Sequence, residues 1–171
     1  VCRAELVSQE EAIRALNRLL VGRSLVYIFF GTHFRIHFVY SGAATGKRPS
    51  PPLEVIVDIL GAFWINDKGD WEKKVAEVPS SVVEPSEPVM AYELARLRWT
   101  ENSEVADIFV DEDKVVFKLK NQETITFSMY SEDEFAFLAT DDADVTKSKL
   151  SICCDQGAFY ARGLDRLPND R

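Results

Sequence analysis

Several groupings in this chain carry residue types that could do chemistry. Gly42-Ala-Ala-Thr-Gly46-Lys47-Arg48 has the look of a phosphate loop. Such a loop needs four residues between its glycines, a hydroxyl residue after the lysine, and a helix whose first amides hold the phosphate. Here the gap is three residues, Arg48 stands where the hydroxyl belongs, and Pro49, Pro51 and Pro52 oppose a helix. A solvent-facing loop is the better reading. His33 and His37 are the only histidines. Four apart on a helix they could share a metal, but the alternation around them is that of a strand. A rise of about 3.3 Å per residue then sets them about 13 Å apart, too far for one ion. With Arg35 between them they make a polar strand face.

Asp142, Asp144 and Thr146 have the spacing of a calcium loop, which also needs glycine at its sixth position and glutamate at its twelfth. Lys147 and Cys153 occupy those places. Cys153 and Cys154 lack a partner histidine or ligand spacing and read as buried structural thiols; with Cys2 they form no disulfide framework. Lys114, Lys118 and Lys120 fall on one side of an alternating run, where edge-strand lysines that deter aggregation would explain them. Pro49-Ser-Pro-Pro52 is a lone polyproline-like run of low specificity. No paired acid and base, nucleophile elbow or metal cluster emerges, so neither a cofactor nor catalysis is expected. What remains is acidic: Glu132, Asp133, Glu134, Asp141, Asp142 and Asp144 crowd one stretch. Such a run is either a solvated surface or a negative face presented to a basic partner.

The elements that would position these groups read mainly as antiparallel strands. From Phe109 to Met129, apolar Val115, Phe117 and Leu119 alternate with lysines, and Ile125, Phe127 and Met129 alternate with Thr and Ser. Asn121-Gln122 divides the two runs. Period-two alternation of β-branched and aromatic residues marks a half-buried hairpin. Leu25–Phe30, His33–Tyr40, Leu53–Leu60, Glu104–Val110, Phe135–Leu138 and Leu150–Cys154 read as further strands, with a kinked continuation through Trp64 and Ile65. Ser8 with Glu11 forms a capping box ahead of Ile13, Leu16, Leu19 and Leu20, and Gly22 follows; this predicts a helix over 9–20. Pro88 and the stripe Met90, Leu94 and Leu97 predict a second helix over 88–98. Residues 71–78 fit neither pattern, and the last eight residues read as frayed.

The fold class expected is therefore α+β, mainly antiparallel β-sheet in meanders with two helices, in one domain of 171 residues. The order helix, strand, turn, strand, connection, strand occurs twice, over about 8–78 and 88–155, joined by a Pro- and Ser-rich linker at 79–87. Two pseudo-repeated, intertwined halves fit that order, and so does any α+β domain built of hairpins.

Bulk properties narrow the partners. A net charge of −8 opposes binding to DNA or RNA, which needs a basic footprint. It favours a basic protein instead. No run approaches the ~18 consecutive apolar residues of a membrane helix, and the first residues lack a signal-peptide layout. With so few cysteines, a reducing cytoplasm is the expected location.

The capped helix at 8–20, the progression LVGRSLVYIFF, FRIHFVY and LEVIVDILGAFW, and the acidic segment 131–144 together resemble small bacterial immunity proteins that neutralise toxins from neighbouring cells. The resemblance implies a non-catalytic protein that binds one basic toxin domain, often a nuclease, and occludes its active site with acidic side chains. On that reading the six acidic residues named above are the contact surface. Two rival classes stay open. One is a small acidic secretion or assembly chaperone that holds an extended segment at a sheet edge. The other is an enzyme with a pocket between sheet and helices, walled by Arg35, His37, Tyr40 and Trp64.

Overall fold

A computed structural model describes residues 4–31, 34–40, 52, 54–132 and 135–167. Among these, strand β1 (Glu5–Val7) precedes helix α1 (Gln9–Leu20). Ser8 caps α1 through its Oγ, which accepts from the Glu11 amide at 3.2 Å. Ala12, Ala15, Leu16, Leu19 and Leu20 form the buried stripe. A meander of β2 (Arg23–Phe30), β3 (Phe34–Tyr40) and β4 (Glu54–Ile59) follows, then the short β5 (Phe63–Ile65). Helices α2 (Lys68–Ala76) and α3 (Ser86–Arg98) come next. A second meander comprises β6 (Val105–Asp111), β7 (Lys114–Leu119) and β8 (Thr124–Ser128). Strands β9 (Phe137–Thr140), β10 (Ser151–Asp155) and β11 (Ala158–Arg162) complete the fold.

This is the α+β, mainly antiparallel architecture expected, with three helices and eleven strands in two sheets among the described residues. The stretch 71–78, undecided in sequence, is mostly α2, capped by Asp67, whose Oδ1 accepts from the Asp70 amide at 2.9 Å. The C-terminal stretch is less frayed than expected: Leu164–Arg166 form a 3-10 turn and Leu167 is buried. Strands β1 and β11 were not anticipated.

The larger sheet has the order β1-β11-β10-β9-β4-β3-β2, and the smaller β5-β8-β7-β6. Strand β5 thus leaves the sheet of its sequence neighbours and pairs with β8, while β9 leaves the second meander and pairs with β4. The strand order does not by itself confirm a repeat, because β1, α2, β10 and β11 have no counterparts in the opposite half. The lysines of β7 are not edge lysines, since β7 lies between β6 and β8. Lys114 faces Asp111 and Lys118 faces Asp107 across the β6–β7 pair, on the solvent side. Opposite charges in such facing positions stabilise the pair modestly.

One continuous core fills the space between the sheets. Its centre is aromatic. The Phe117 ring lies 4.9 Å from Phe127, 6.3 Å from Phe38 and 6.4 Å from Phe137, mostly edge to face. Phe63 of β5 stacks on Phe127 at 6.1 Å. The two segments that cross between sheets also touch, with the Gly61 amide donating to the Ala136 carbonyl at 3.1 Å. A Cβ on Gly61 would sit 3.1 Å from the Ala136 Cα and 3.0 Å from the Ser131 Cβ.

Two substitutions test this packing. Phe117→Ala removes a fully buried ring and should cost about 3–5 kcal/mol in urea unfolding. Gly61→Val should cost about 1–3 kcal/mol by overpacking the crossing, with little change in the denaturant slope.

Candidate binding groove

A cavity of about 640 Å³ lies where α2 and the segment 78–86 approach the end of the smaller sheet. That volume is typical of ligand-sized sites. Phe63 and Trp71 form its floor, and their rings are 5.8 Å apart. Val75, Val78, Pro79, Val82 and Pro85 line the walls, with Lys68, Glu72, Asp113, Lys114 and Ser128 at the rim. A second hollow of about 370 Å³, lined by Phe30, Gly31, Phe34, Val82, Pro88 and Ala91 among others, shares Val82 as a wall. Val82 and Phe30 are 37% and 51% exposed, so the wall common to both hollows and one side of the second present apolar surface to solvent.

The sequence builds this track by making α2 a helix with few anchors. Trp71 is its one buried residue; Val75 is half-buried and most of the rest is exposed. A chain of charges fixes it in place. Lys74 Nζ of α2 lies 2.6 Å from Glu93 Oε1 of α3, and Arg96 Nε lies 2.8 Å from Glu93 Oε2. Arg96 Nη2 continues to Glu123 Oε1 at 2.6 Å. Asn66 and Asn121 each donate to Glu123, at 3.0 and 2.9 Å. Burial pushes Glu93 upward, but the hydrogen bonds and charges of Lys74 and Arg96 outweigh it and leave the carboxyl below its ordinary value. Arg96 likewise holds Glu123 down, with burial opposing and the two asparagines assisting.

The rim is acidic. From residue 77 to 87 the chain has Glu77, Glu84 and Glu87, all exposed, and no lysine or arginine. Asp111, Glu112 and Asp113 stand exposed at the β6–β7 turn. Lys114 offsets these only in part, lying 3.6 Å from Glu112 and 3.8 Å from Asp113.

The acidic residues singled out in the sequence lie elsewhere. Glu132 is exposed, whereas Asp133 and Glu134 fall outside the described residues. Asp141, Asp142 and Asp144 sit in the β9–β10 loop and are largely engaged in folding it. Asp141 Oδ1 accepts from Ser148 Oγ and from the amides of Lys149 and Leu150 at 2.6–3.1 Å. Asp142 Oδ1 accepts from the Asp144 amide at 2.9 Å. Asp144 takes the amide and hydroxyl of Thr146 and lies 2.8 Å from Lys147 Nζ. Lys147, then Thr146, hold its carboxyl down to about 2. The calcium-like spacing is thus an Asx-turn pattern, and no group of metal-binding side chains occurs among the described residues.

The walls suggested for an enzyme pocket do not converge. Arg35 forms a two-pronged pair with Asp58 at 2.5 and 3.1 Å, and His37 Nδ1 lies 2.5 Å from Glu54 Oε1, both on the larger sheet. Tyr40 ends the same strand, while Trp64 belongs to the smaller sheet with Lys68 Nζ 5.1 Å over its ring. Cys153 and Cys154 are buried, as expected, and burial pushes the Cys154 thiol up to about 11. His33, the glycine-rich loop and Cys2 lie outside the described residues. No helix of the described residues is long and apolar enough to cross a membrane. Comparison with protein-family models, with curated proteins and with solved structures finds no match.

The groove itself was not found from sequence. The signal available was the isolated pair Trp71 and Val75, four apart, beside a proline-rich segment that keeps Val78 and Val82 apolar. The charge chain behind it makes a measurable claim. Glu93→Gln should lower stability by about 1–3 kcal/mol and speed amide exchange in 68–76 ahead of the sheets. Because both glutamates are depressed in the fold, their contribution is complete above the ordinary glutamate range and is lost as pH falls below it through the lower folded values. The doubly substituted Glu93→Gln, Glu123→Gln protein should therefore show a flatter acid limb in its stability–pH profile.

Proposed function

We propose that this chain is a non-catalytic binding protein that receives an apolar-anchored segment of a basic protein partner in the groove. The observation that carries the proposal is the pair of apolar hollows sharing Val82, with the exposed Glu77, Glu84 and Glu87 on the segment that walls them. Two adjoining hollows suit successive side chains of a polypeptide better than one small molecule. Exposed apolar surface of this kind marks interaction sites in otherwise polar exteriors. The overall charge of −8 favours a cationic partner and speeds its encounter. Glu132, Asp142 and Asp144, with the neighbouring Asp133 and Glu134, add to that long-range field; Asp141, with one oxygen taken by the loop, contributes charge more than contact.

In the specific form suggested by the resemblance to immunity proteins, the partner is a toxin domain and binding covers its active site. The chaperone reading shares the same track, and the state of the partner separates the two. A folded enzyme whose activity is abolished on binding supports immunity; an extended segment that is later released supports a chaperone.

The test is affinity capture from the organism that encodes the chain, followed by binding kinetics with the purified partner. Val82→Ser should raise the dissociation rate about tenfold with little effect on association, since the charge is unchanged. Reversing Glu132, Asp142 and Asp144 to lysine should slow association and weaken its salt dependence. A partner whose affinity responds to neither set removes both the groove and the acidic face from its interface.

A further inference from the structure

Two sets of elements match position by position across the sheets. In the larger sheet the row Phe30, Phe34, Ile59, Phe137 runs over β2, β3, β4 and β9 on the face toward the core, with Phe30 at its open end. In the smaller, Val110, Val115, Phe127, Phe63 run over β6, β7, β8 and β5. The next inward rows are Ile28, Ile36, Val57, Ala139 and Ile108, Phe117, Ile125, Ile65. Each meander has one register shift, between Leu25 and Tyr27 in β2 and between Val105 and Asp107 in β6. The shift falls at the same distance before Ile28 as before Ile108.

The helices follow the same crossed pattern. Helix α1 of the first half packs on β6 of the second, and α3 of the second packs on β2 of the first. The Asn17 amide of α1 closes the free edge of β6: Oδ1 accepts from the Ile108 amide at 2.9 Å and Nδ2 donates to the Ile108 carbonyl at 2.6 Å.

We propose that residues 8–76 and 86–140 are two register-matched, interlocked halves, each the binding partner of the other, whose association does not need the chain between them. Each half gives its fourth strand and its helix to the sheet of the other. A half on its own leaves the edges of β4 or β8 unpaired and the aromatic centre split, with Phe63 and Phe137 exposed. Such edges seek a partner strand. The proposal is independent of what the groove binds.

The test uses the full chain with a protease site in place of Ser80–Glu84, a run that is exposed throughout. After cleavage, the fragments should co-elute at the mass of the intact chain with an unchanged near-ultraviolet spectrum. Separated in denaturant and refolded singly, each fragment should stay unfolded or pair with a second copy of itself. Remixing should restore the original spectrum at one-to-one stoichiometry. Ile65→Asp or Ala139→Asp, on the exchanged strands, should weaken reassembly about a hundredfold or more, since each places a charge in the core. Leu6→Ser, on the appended strand β1, should leave it unchanged. Halves that part after the cut, a half that folds as a monomer, or reassembly indifferent to both aspartate variants would overturn the proposal.

Discussion

Two short strands, Phe63–Ile65 and Phe137–Thr140, constrain everything else in this molecule. Each leaves the meander it follows and satisfies its backbone hydrogen bonds in the opposite sheet. An unpaired polar backbone in the interior is costly, so these pairings fix how the sheets face each other. The side chains settle the same question. Phe63 and Phe137 sit on either side of Phe127, at 6.1 and 5.4 Å, and the core closes only when both strands have crossed. The contact of Gly61 with Ala136 follows from this, because two connections passing between the same pair of sheets must approach closely, and there is no room for a side chain on one of them.

The groove is a consequence of that crossing. Once β5 ends at Ile65 on the rim of the smaller sheet, the chain must travel back to α3 and start the second meander. It does so through α2 and a proline-rich segment, with few apolar residues available to hold either down. Only Trp71 reaches well into the core. The rest of the attachment is electrostatic, running from Lys74 through Glu93 and Arg96 to Glu123. Segments held by few buried contacts occupy the low end of local stability, where binding elements are commonly drawn from. The same scarcity that leaves the track uncovered makes its wall adjustable.

Most of the strands were legible because their periodicity is local: β7 and β8 alternate cleanly, and the capping box at Ser8 marks α1 to the residue. What stayed hidden depended on partners distant in sequence. The place of β7 inside its sheet, and so the environment of Lys114 and Lys118, cannot be read from a run that looks the same on an edge. Helix α2 has too narrow an apolar stripe to declare itself. Strand β11 was legible in principle, since Gln156 and Gly157 both have positive φ, 45° and 81°, in a two-residue turn of the kind glycine favours. Its central tyrosine and flanking alanines mask the alternation. The crossed pairing of β5 and β9 leaves no trace in local pattern, because a strand of three or four apolar residues fits either sheet equally well.

The acidic stretch shows why charge density and site must be argued separately. A carboxylate attracts a distant cation whether or not its oxygens already hold hydrogen bonds, since the field depends on net charge. Direct contact depends on free lone pairs and exposure, and these the β9–β10 loop has partly spent: Asp141 ties Ser148, Lys149 and Leu150 together, and Asp144 is neutralised at short range by Lys147. Breaking those bonds to reach a partner would unfold the loop that presents them. The glutamates at 77, 84 and 87 have no such duty in the described structure and flank exposed apolar surface. A partner drawn in by the whole negative exterior would therefore find its anchoring contacts at the groove, where desolvating an apolar side chain costs no internal hydrogen bond.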